Sequence, residues 1–282
     1  MKNQRSTVNT TEAPESDVVG DYYDHSIFDL MNDFGDGNLH YGYWHGDGDT
    51  SSFEAAMDEM TAQMIRRLNP APGTRILDVG CGNGTPGVRL ARDRRVQVVG
   101  VSVSRRQVER GNERAAQAGL ADRARFEKAS AMDLPFTTGS FDGCWALESM
   151  LHMPDKAQVL AEIARLVRPG GRLAIADMIY REPPDRQVAP PSVDYATVYA
   201  SLSTFAEYAD LLDKAGFIPL EMTDVTDETL RSNDCYVEWM HAHRNEYVDI
   251  IGTSGFDLLI KNQESFSEQK GIGYILLTAQ RR

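Results

Sequence analysis

Gly80, Gly82 and Gly84 stand at alternate positions directly after the apolar run Arg75-Ile76-Leu77-Asp78-Val79. Glycine allows positive φ and lets a ligand approach bare backbone. Thr85-Pro86 follow, and a proline in the first turn of a helix lacks only an N–H that has no partner there anyway. Strand, glycine turn and helix N-terminus, with its free N–H groups, together make a ligand site outside the carboxyl end of a parallel sheet. The first rival is a phosphate-binding turn. Its dinucleotide fingerprint is G-x-G-x-x-G, and Gly82, Gly84 and Gly87 carry that spacing, with Gly80 added before them. Asp78, two residues before the first glycine, suits a ligand carrying an amino group better than one carrying a pyrophosphate. A purely structural glycine turn is the bland alternative.

These residues need elements to hold them, and the pattern around them alternates. Helices are expected over about 85–92, 105–118 and 156–167. Strands are expected over 75–79, 96–103, 124–128, 141–147 and 172–179. Strands separated by helices imply right-handed crossovers and a parallel sheet covered on both faces. A helix over about 204–215 leads to a strand at 218–225, and a last strand spans 273–279. Only a helical insertion separates these last two strands, so they should pair antiparallel at the sheet edge. Upstream, Phe53, Met57, Met60, Met64 and Leu68 recur at the spacing of one helix face. Ser51 and Glu54 read as a capping box at its start. The methionine stripe reads as core packing.

Residues 1–17 are polar and read as a disordered tail. Residues 18–69 hold aromatics, among them Tyr22, Tyr23 and the string Asn38-Leu39-His40-Tyr41-Gly42-Tyr43-Trp44. They read as a helical lid over a small-molecule site, against the alternative of a segment simply packed on the domain. Residues 70–180 read as the ligand-binding core, and 181–282 as the remaining strands with two insertions, from Arg181 to Ser203 and from Asp227 to Gly271.

Length and charge bound the function. A chain of 282 residues suits one large α/β domain with insertions. A net charge of −13 argues against nucleic acid, which demands clustered Lys and Arg, and equally against an anionic membrane surface. Cys81, Cys144 and Cys235 are few, odd in number and not spaced for a metal, which fits a reducing cytoplasm. No stretch reads as a signal core or a membrane span. In His241-Ala242-His243 the imidazoles are two residues apart and do not share a helix face, so no metal is expected.

The string Leu77-Asp78-Val79-Gly80-Cys81-Gly82-Asn83-Gly84 resembles motif I of class I S-adenosylmethionine-dependent methyltransferases. The lid string resembles, more narrowly, bacterial natural-product methyltransferases of the rebeccamycin sugar O-methyltransferase type. So do Gly100-Val101-Ser102-Val103-Ser104-Arg105-Arg106-Gln107, Ala131-Met132-Asp133-Leu134-Pro135-Phe136, the run from Ala146 to Asp155, and Ala174-Ile175-Ala176-Asp177. The resemblance spans about residues 21–180. It implies a Rossmann-like α/β fold with a seven-stranded, mostly parallel sheet and an antiparallel last strand. It implies S-adenosyl-L-methionine as cofactor and a small-molecule acceptor in natural-product, antibiotic-type biosynthesis.

Carried onto this chain, the resemblance implies cofactor contacts from Tyr41, Asp78, Gly80, Gly82, Gly84, Ser102, Gln107, Ser130, Ala131, Met132, Ala146 and Leu147. Ser102 stands where most of the superfamily has an acid for the ribose hydroxyls, and Ser130 where relatives often have aspartate. The Gln107 side chain has a second reading, as half of a capping box with Ser104. Methyl transfer to a hydroxyl needs a base near neutral pH. His152 and Asp177, both at the carboxyl edge of the sheet, are the catalytic candidates. The rebeccamycin type carries two adjacent histidines there, and Leu151 replaces the first. Each candidate has a structural alternative, a buried turn histidine and a strand-end carboxylate held by backbone. O-methylation leads. An N or C acceptor, or a rearrangement on the same fold, stays open, as does a homo-oligomer.

Overall fold

The computed structural model describes residues 16–30, 34–181, 202–267 and 271–282. The expected tail lies outside the described residues up to residue 15, and so does the insertion from Arg181 to Ser203 apart from its ends. The chain begins with two short helices, α1 (Ser16–Tyr23) and α2 (Ile27–Leu30), and a 3-10 turn at Phe34–Gly37. Helix α3 (Phe53–Leu68) follows. Its cap is Ser52, not Ser51: the Ser52 hydroxyl accepts the Ala55 N–H. Ser51 instead uses its backbone, its N–H donating to Asp49 and its carbonyl accepting from the Trp44 indole. The face carrying Phe53, Met57, Met60, Met64 and Leu68 is buried, as its spacing requires.

The core then alternates as β1 (Arg75–Val79), α4 (Thr85–Arg94), β2 (Gln97–Ser102), α5 (Arg105–Gln117), β3 (Ala124–Lys128) and β4 (Phe141–Leu147). A 3-10 turn at Met150–His152, α6 (Lys156–Leu166) and β5 (Val167–Tyr180) complete it. After the undescribed stretch come β6 (Ser203–Thr204), α7 (Phe205–Lys214), β7 (Phe217–Asp224), α8 (Thr226–Thr229), α9 (Arg231–Ala242), α10 (Arg244–Ser267) and β8 (Ile272–Arg281). Thr204 and Glu207 form a full capping box on α7. Gly252, at φ 72°, breaks α10 into two helical stretches.

One sheet runs β3-β2-β1-β4-β5-β8-β7, with the two-residue β6 attached to β5, so it has eight strands where seven were expected. Strands β1 to β5 are mutually parallel, and β8 is antiparallel to both β5 and β7. The terminal pair is antiparallel as its connection demands. Strand β7 is the edge, and β8 lies inside it against β5. Met57, Met60, Met64, Trp145, Ala174 and Leu276 pack one face of the sheet. Leu77, Val79, Val159, Ile163, Tyr208 and Leu212 pack the other. With both faces buried, the strands need continuous apolar runs and carry their polar residues at the ends. Those ends hold the site.

Candidate active site

The turn after β1 is built as its glycines suggest. Gly80, Gly82 and Gly84 all have positive φ, at 72°, 51° and 79°. At Gly80 a Cβ would come within 2.2 Å of the Ser149 Cβ, whereas at Gly82 it would meet nothing. The Gly82 backbone therefore lies open to a cavity, while Gly80 lets the chain leaving β4 pack against the turn. Ser149 locks that packing, its hydroxyl donating to the Val79 carbonyl at 2.6 Å. The N–H groups of Gly80 and Cys81 are spent on the Val101 carbonyl. Gly84 does not line the cavity. A Cβ there would press on the Gly111 Cα at 2.7 Å, so this glycine serves the contact between α4 and α5.

A cavity of about 990 Å³, open to solvent, covers this turn. Of the expected cofactor residues, Asp78, Gly80, Gly82, Ser102, Gln107, Ser130, Ala131, Met132 and Leu147 line it. Ala146 does not: it is fully buried within the sheet, one residue too early to face the opening. Only one half of the expected capping box forms at Gln107, since the Ser104 N–H donates to the Ser102 hydroxyl and not to the Gln107 side chain. The Gln107 backbone N–H donates to the Ser104 hydroxyl as a helix cap, while its side-chain oxygen accepts from Ser102 at 2.7 Å. A hydroxyl and an amide, both buried, thus stand at the end of β2, where a sugar would need polar partners. Val19, Tyr23, Gly37, Leu39 and His40 close the cavity from the N-terminal side. That segment is tied down on α5. Asp24 accepts from the Ser104 hydroxyl and the Arg106 N–H, and Asp29 takes both Arg106 and Arg110.

Among the described residues no Lys or Arg lines this cavity, and its acids are Asp78 and Glu148. That charge balance fits a cationic ligand and disfavours a pyrophosphate. Asp78 is buried, and its Oδ2 has no hydrogen-bond partner among the described residues. Burial pushes its carboxyl up to about 7, opposed by the Trp145 indole beside it in the sheet. An orphaned buried carboxyl under a bare glycine turn is what an amino-acid ammonium group would satisfy. His40 is also buried. Its Nδ1 lies 2.9 Å from the Tyr41 carbonyl, so that nitrogen carries the proton. Burial lowers its pKa to about 4 and keeps the ring neutral.

The end of β4 departs from expectation. His152 lines the cavity, with its Nε2 2.8 Å from the Tyr23 hydroxyl. Asp177 lies beneath the floor, fully buried, and lines neither of the cavities described here. It accepts from Tyr208, and the charge of Lys156 and backbone of Met178 and Leu151 bear on it. Burial outweighs them and raises it to about 6. Asp177 pairs with Ile275 three residues before the end of the β5–β8 ladder, which keeps this carboxyl in the core beside the Met150–His152 turn.

Glu148 is the residue that sequence reasoning passed over. It has φ of 47°, a left-handed conformation that costs a non-glycine residue of the order of 1–2 kcal/mol. Its Oε1 accepts from the Tyr41 N–H at 2.5 Å and the Tyr274 hydroxyl at 2.6 Å. Burial lifts its pKa to about 8 against these two bonds, with Asp177 adding to the rise. An acid directly after an apolar strand was the available signal, the same one that marks Asp78.

Glu148, Tyr23 and Leu39 also line a second cavity of about 1290 Å³. Its other walls come from Phe28, Met178, Tyr236, Met240, Tyr247 and the α10 residues Ile251 to Gln263. Tyr41 belongs here and not to the first cavity. Its hydroxyl donates to Asn233 and its ring stacks on Tyr274 at 5.9 Å. Contacts with α9 and β8 turn the side chain away from the glycine turn.

A methyltransferase domain family matches residues 76–171. The chain is 37% identical to 27-O-demethylrifamycin SV methyltransferase of Amycolatopsis mediterranei, over 95% of this chain and 98% of that one. It is 38% identical to methyltransferase GfsG of Streptomyces halstedii, over 93% of each. Among solved structures, the [4+2]-cyclase SpnF superposes with a TM-score of 0.84 at 32% identity, covering 96% of this chain and 97% of that one. The chain belongs to the class I S-adenosyl-L-methionine-dependent methyltransferases. It is an enzyme that uses this cofactor to methylate a small molecule.

Proposed function

We propose that the enzyme O-methylates a large, mostly apolar natural product bound in the second cavity, with the cofactor over the glycine turn. The observation that carries this reading is the pair of cavities meeting at Tyr23, Leu39 and Glu148. The first offers backbone, small polar groups and acids. The second offers aromatic and aliphatic walls with no Lys or Arg among the described residues, which suits an uncharged acceptor better than a phosphorylated or carboxylated one. The O-methyltransferase names of the relatives support the acceptor atom.

The cofactor supplies an electrophilic methyl group on a sulfonium. The chain's own residues do the rest. Gly80, Gly82 and Asp78 hold the amino-acid end, Ser102 and Gln107 the ribose, and Ser130, Ala131 and Met132 the adenine. Tyr23, Leu39 and the α10 wall exclude water and bring the acceptor oxygen to attack distance. Two groups at the junction can take the hydroxyl proton: His152 by way of Tyr23, and Glu148. We place the enzyme in the cytoplasm, since Cys81, Cys144 and Cys235 are unpaired. Among the described residues no helix is long and apolar enough to cross a membrane.

The test is incubation with methyl-labelled cofactor and hydroxylated macrocycles, 27-O-demethylrifamycin SV first, followed by mass and NMR analysis of the product. A methyl ether supports the reading, and labelled carbon or nitrogen overturns it. The likeness to the SpnF cyclase favours one second reading, a rearrangement. An isomerised acceptor without label would establish that instead.

A further inference from the structure

We propose that Glu148 is the base of this reaction, taking the acceptor's proton on the carboxylate oxygen to which no described residue donates. The inference rests on the O-methylation reading and goes further by choosing between the two groups at the junction.

Position separates them. His152 lines the cofactor cavity only, and its Nε2 already faces the Tyr23 hydroxyl. Glu148 lines both cavities, so a single carboxyl reaches the place where acceptor oxygen and methyl carbon must meet. Orientation separates them too. Both hydrogen bonds to Glu148 fall on Oε1, one from the Tyr41 N–H of the N-terminal segment and one from the Tyr274 hydroxyl on β8. They fix the carboxyl plane, and no donor among the described residues meets Oε2. The backbone at Glu148 is held at φ 47°, with its N–H donating to Ala176 at 2.8 Å. A glycine would take this conformation without strain, and strain of this kind persists where surrounding structure over-determines a functional side chain.

The surroundings also suit the task. The titratable groups that bear on Glu148 are Tyr274 and Asp177, and His152 and Tyr23 share the first cavity with it; among the described residues no Lys or Arg lines either cavity. A carboxyl pushed up to about 8 is a stronger base than an ordinary one and is matched to a neutral working pH. In the step, the acceptor O–H bond breaks and its proton passes to Glu148 Oε2. The acceptor oxygen forms its bond to the methyl carbon, and the carbon–sulfur bond breaks with its electron pair staying on sulfur. Charge balances: a carboxylate and a sulfonium become a carboxylic acid and a thioether. Glu148 then returns the proton to solvent as product leaves.

The experiment compares wild type with Glu148→Gln, His152→Ala and Tyr274→Phe, using 27-O-demethylrifamycin SV and related hydroxylated macrocycles. Glu148→Gln keeps the size of the side chain and an oxygen for Tyr41 and Tyr274. It should lose about two to four orders of magnitude in kcat while binding S-adenosylhomocysteine as wild type does by calorimetry, which also shows that it is folded. Tyr274→Phe removes a donor that favours the charged carboxylate, so the acid limb of the pH–rate profile should move to higher pH. A merely structural glutamate would leave that limb in place. Undiminished methyl ether from Glu148→Gln overturns the proposal, as does an acid limb that persists in Glu148→Gln and vanishes in His152→Ala. The absence of any methyl ether from wild type is a different result, and sinks the O-methylation reading together with this one.

Discussion

The two cavities meet at one glutamate yet are built in opposite ways. The cavity over the glycine turn draws mainly on the ends of β1, β2 and β4 and the turns that follow them, with the N-terminal segment added from Val19 to His40. Its key contacts are backbone or short side chains a few residues apart. The acceptor cavity gathers Tyr22 to Tyr41, Glu148, Met178 and the two long C-terminal helices. Its walls are large side chains that stay near one another only because the helices pack. The first arrangement tolerates little change, since a strand end and a glycine turn have one geometry. The second can change its occupant by exchanging one side chain for another while the sheet stays as it is. A family that keeps one cofactor and varies its acceptors needs this division.

The division can be broken first at Gly80. Gly80→Ala places a Cβ 2.2 Å from the Ser149 Cβ at a φ of 72°. Overpacking and left-handed strain together should cost about 2–4 kcal/mol in urea unfolding and should weaken cofactor binding in calorimetry. Wild-type stability and affinity would mean that the cradle does not depend on bare backbone. A smaller effect should appear on the other side. Leu258 lines the acceptor cavity and is 48% exposed at its mouth. Leu258→Trp should raise KM for the bulkiest acceptors roughly tenfold, within the range of a pocket's steric discrimination, and leave cofactor affinity alone. A change in cofactor affinity would show that the two cavities are not separable.

The smallest effect is a slope. Glu148 has a folded pKa of about 8 against an ordinary 4.5. Between these values the folded protein keeps a proton that the unfolded chain has lost. Stability from this group therefore falls as pH rises from about 4.5 and levels off above about 8. His40 acts in the opposite sense. Its folded pKa of about 4 lies below the ordinary 6.5, so its contribution is lost as pH falls through that window. Glu148→Gln should flatten the decline of the urea midpoint above about pH 7.5, where His40 is neutral in the folded and unfolded chain alike. An unchanged slope there would mean that the carboxyl is already ionised in the folded protein.

The residues on the page sort themselves by range. Gly80, Gly82, Asp78, Ser102 and Met132 could be read because each sits within a few residues of a strand end. Backbone geometry carries such positions to one edge of the sheet whatever else the chain does. The helix face of Met57, Met60 and Met64 and the antiparallel pairing of the last two strands were legible for the same reason, since both follow from local period and connection length. Ser52 instead of Ser51, a one-residue slip in a cap, shows where local reading loses precision.

What sequence alone determined, then, was the class of enzyme, the cofactor and a glycine turn whose backbone lies open to a cavity, because these rest on residues that are near neighbours in the chain. Tertiary structure alone decided the rest. It drew Tyr41 out of the cofactor site through Asn233 and Tyr274. It sealed Asp177 under Tyr208, in a strand covered on both faces. It placed Glu148, flanked by residues more than a hundred positions away in either direction, where two cavities open onto one carboxyl. A side chain's solvent exposure and hydrogen-bond partners at such a place are set by elements distant in sequence, and no local pattern encodes them.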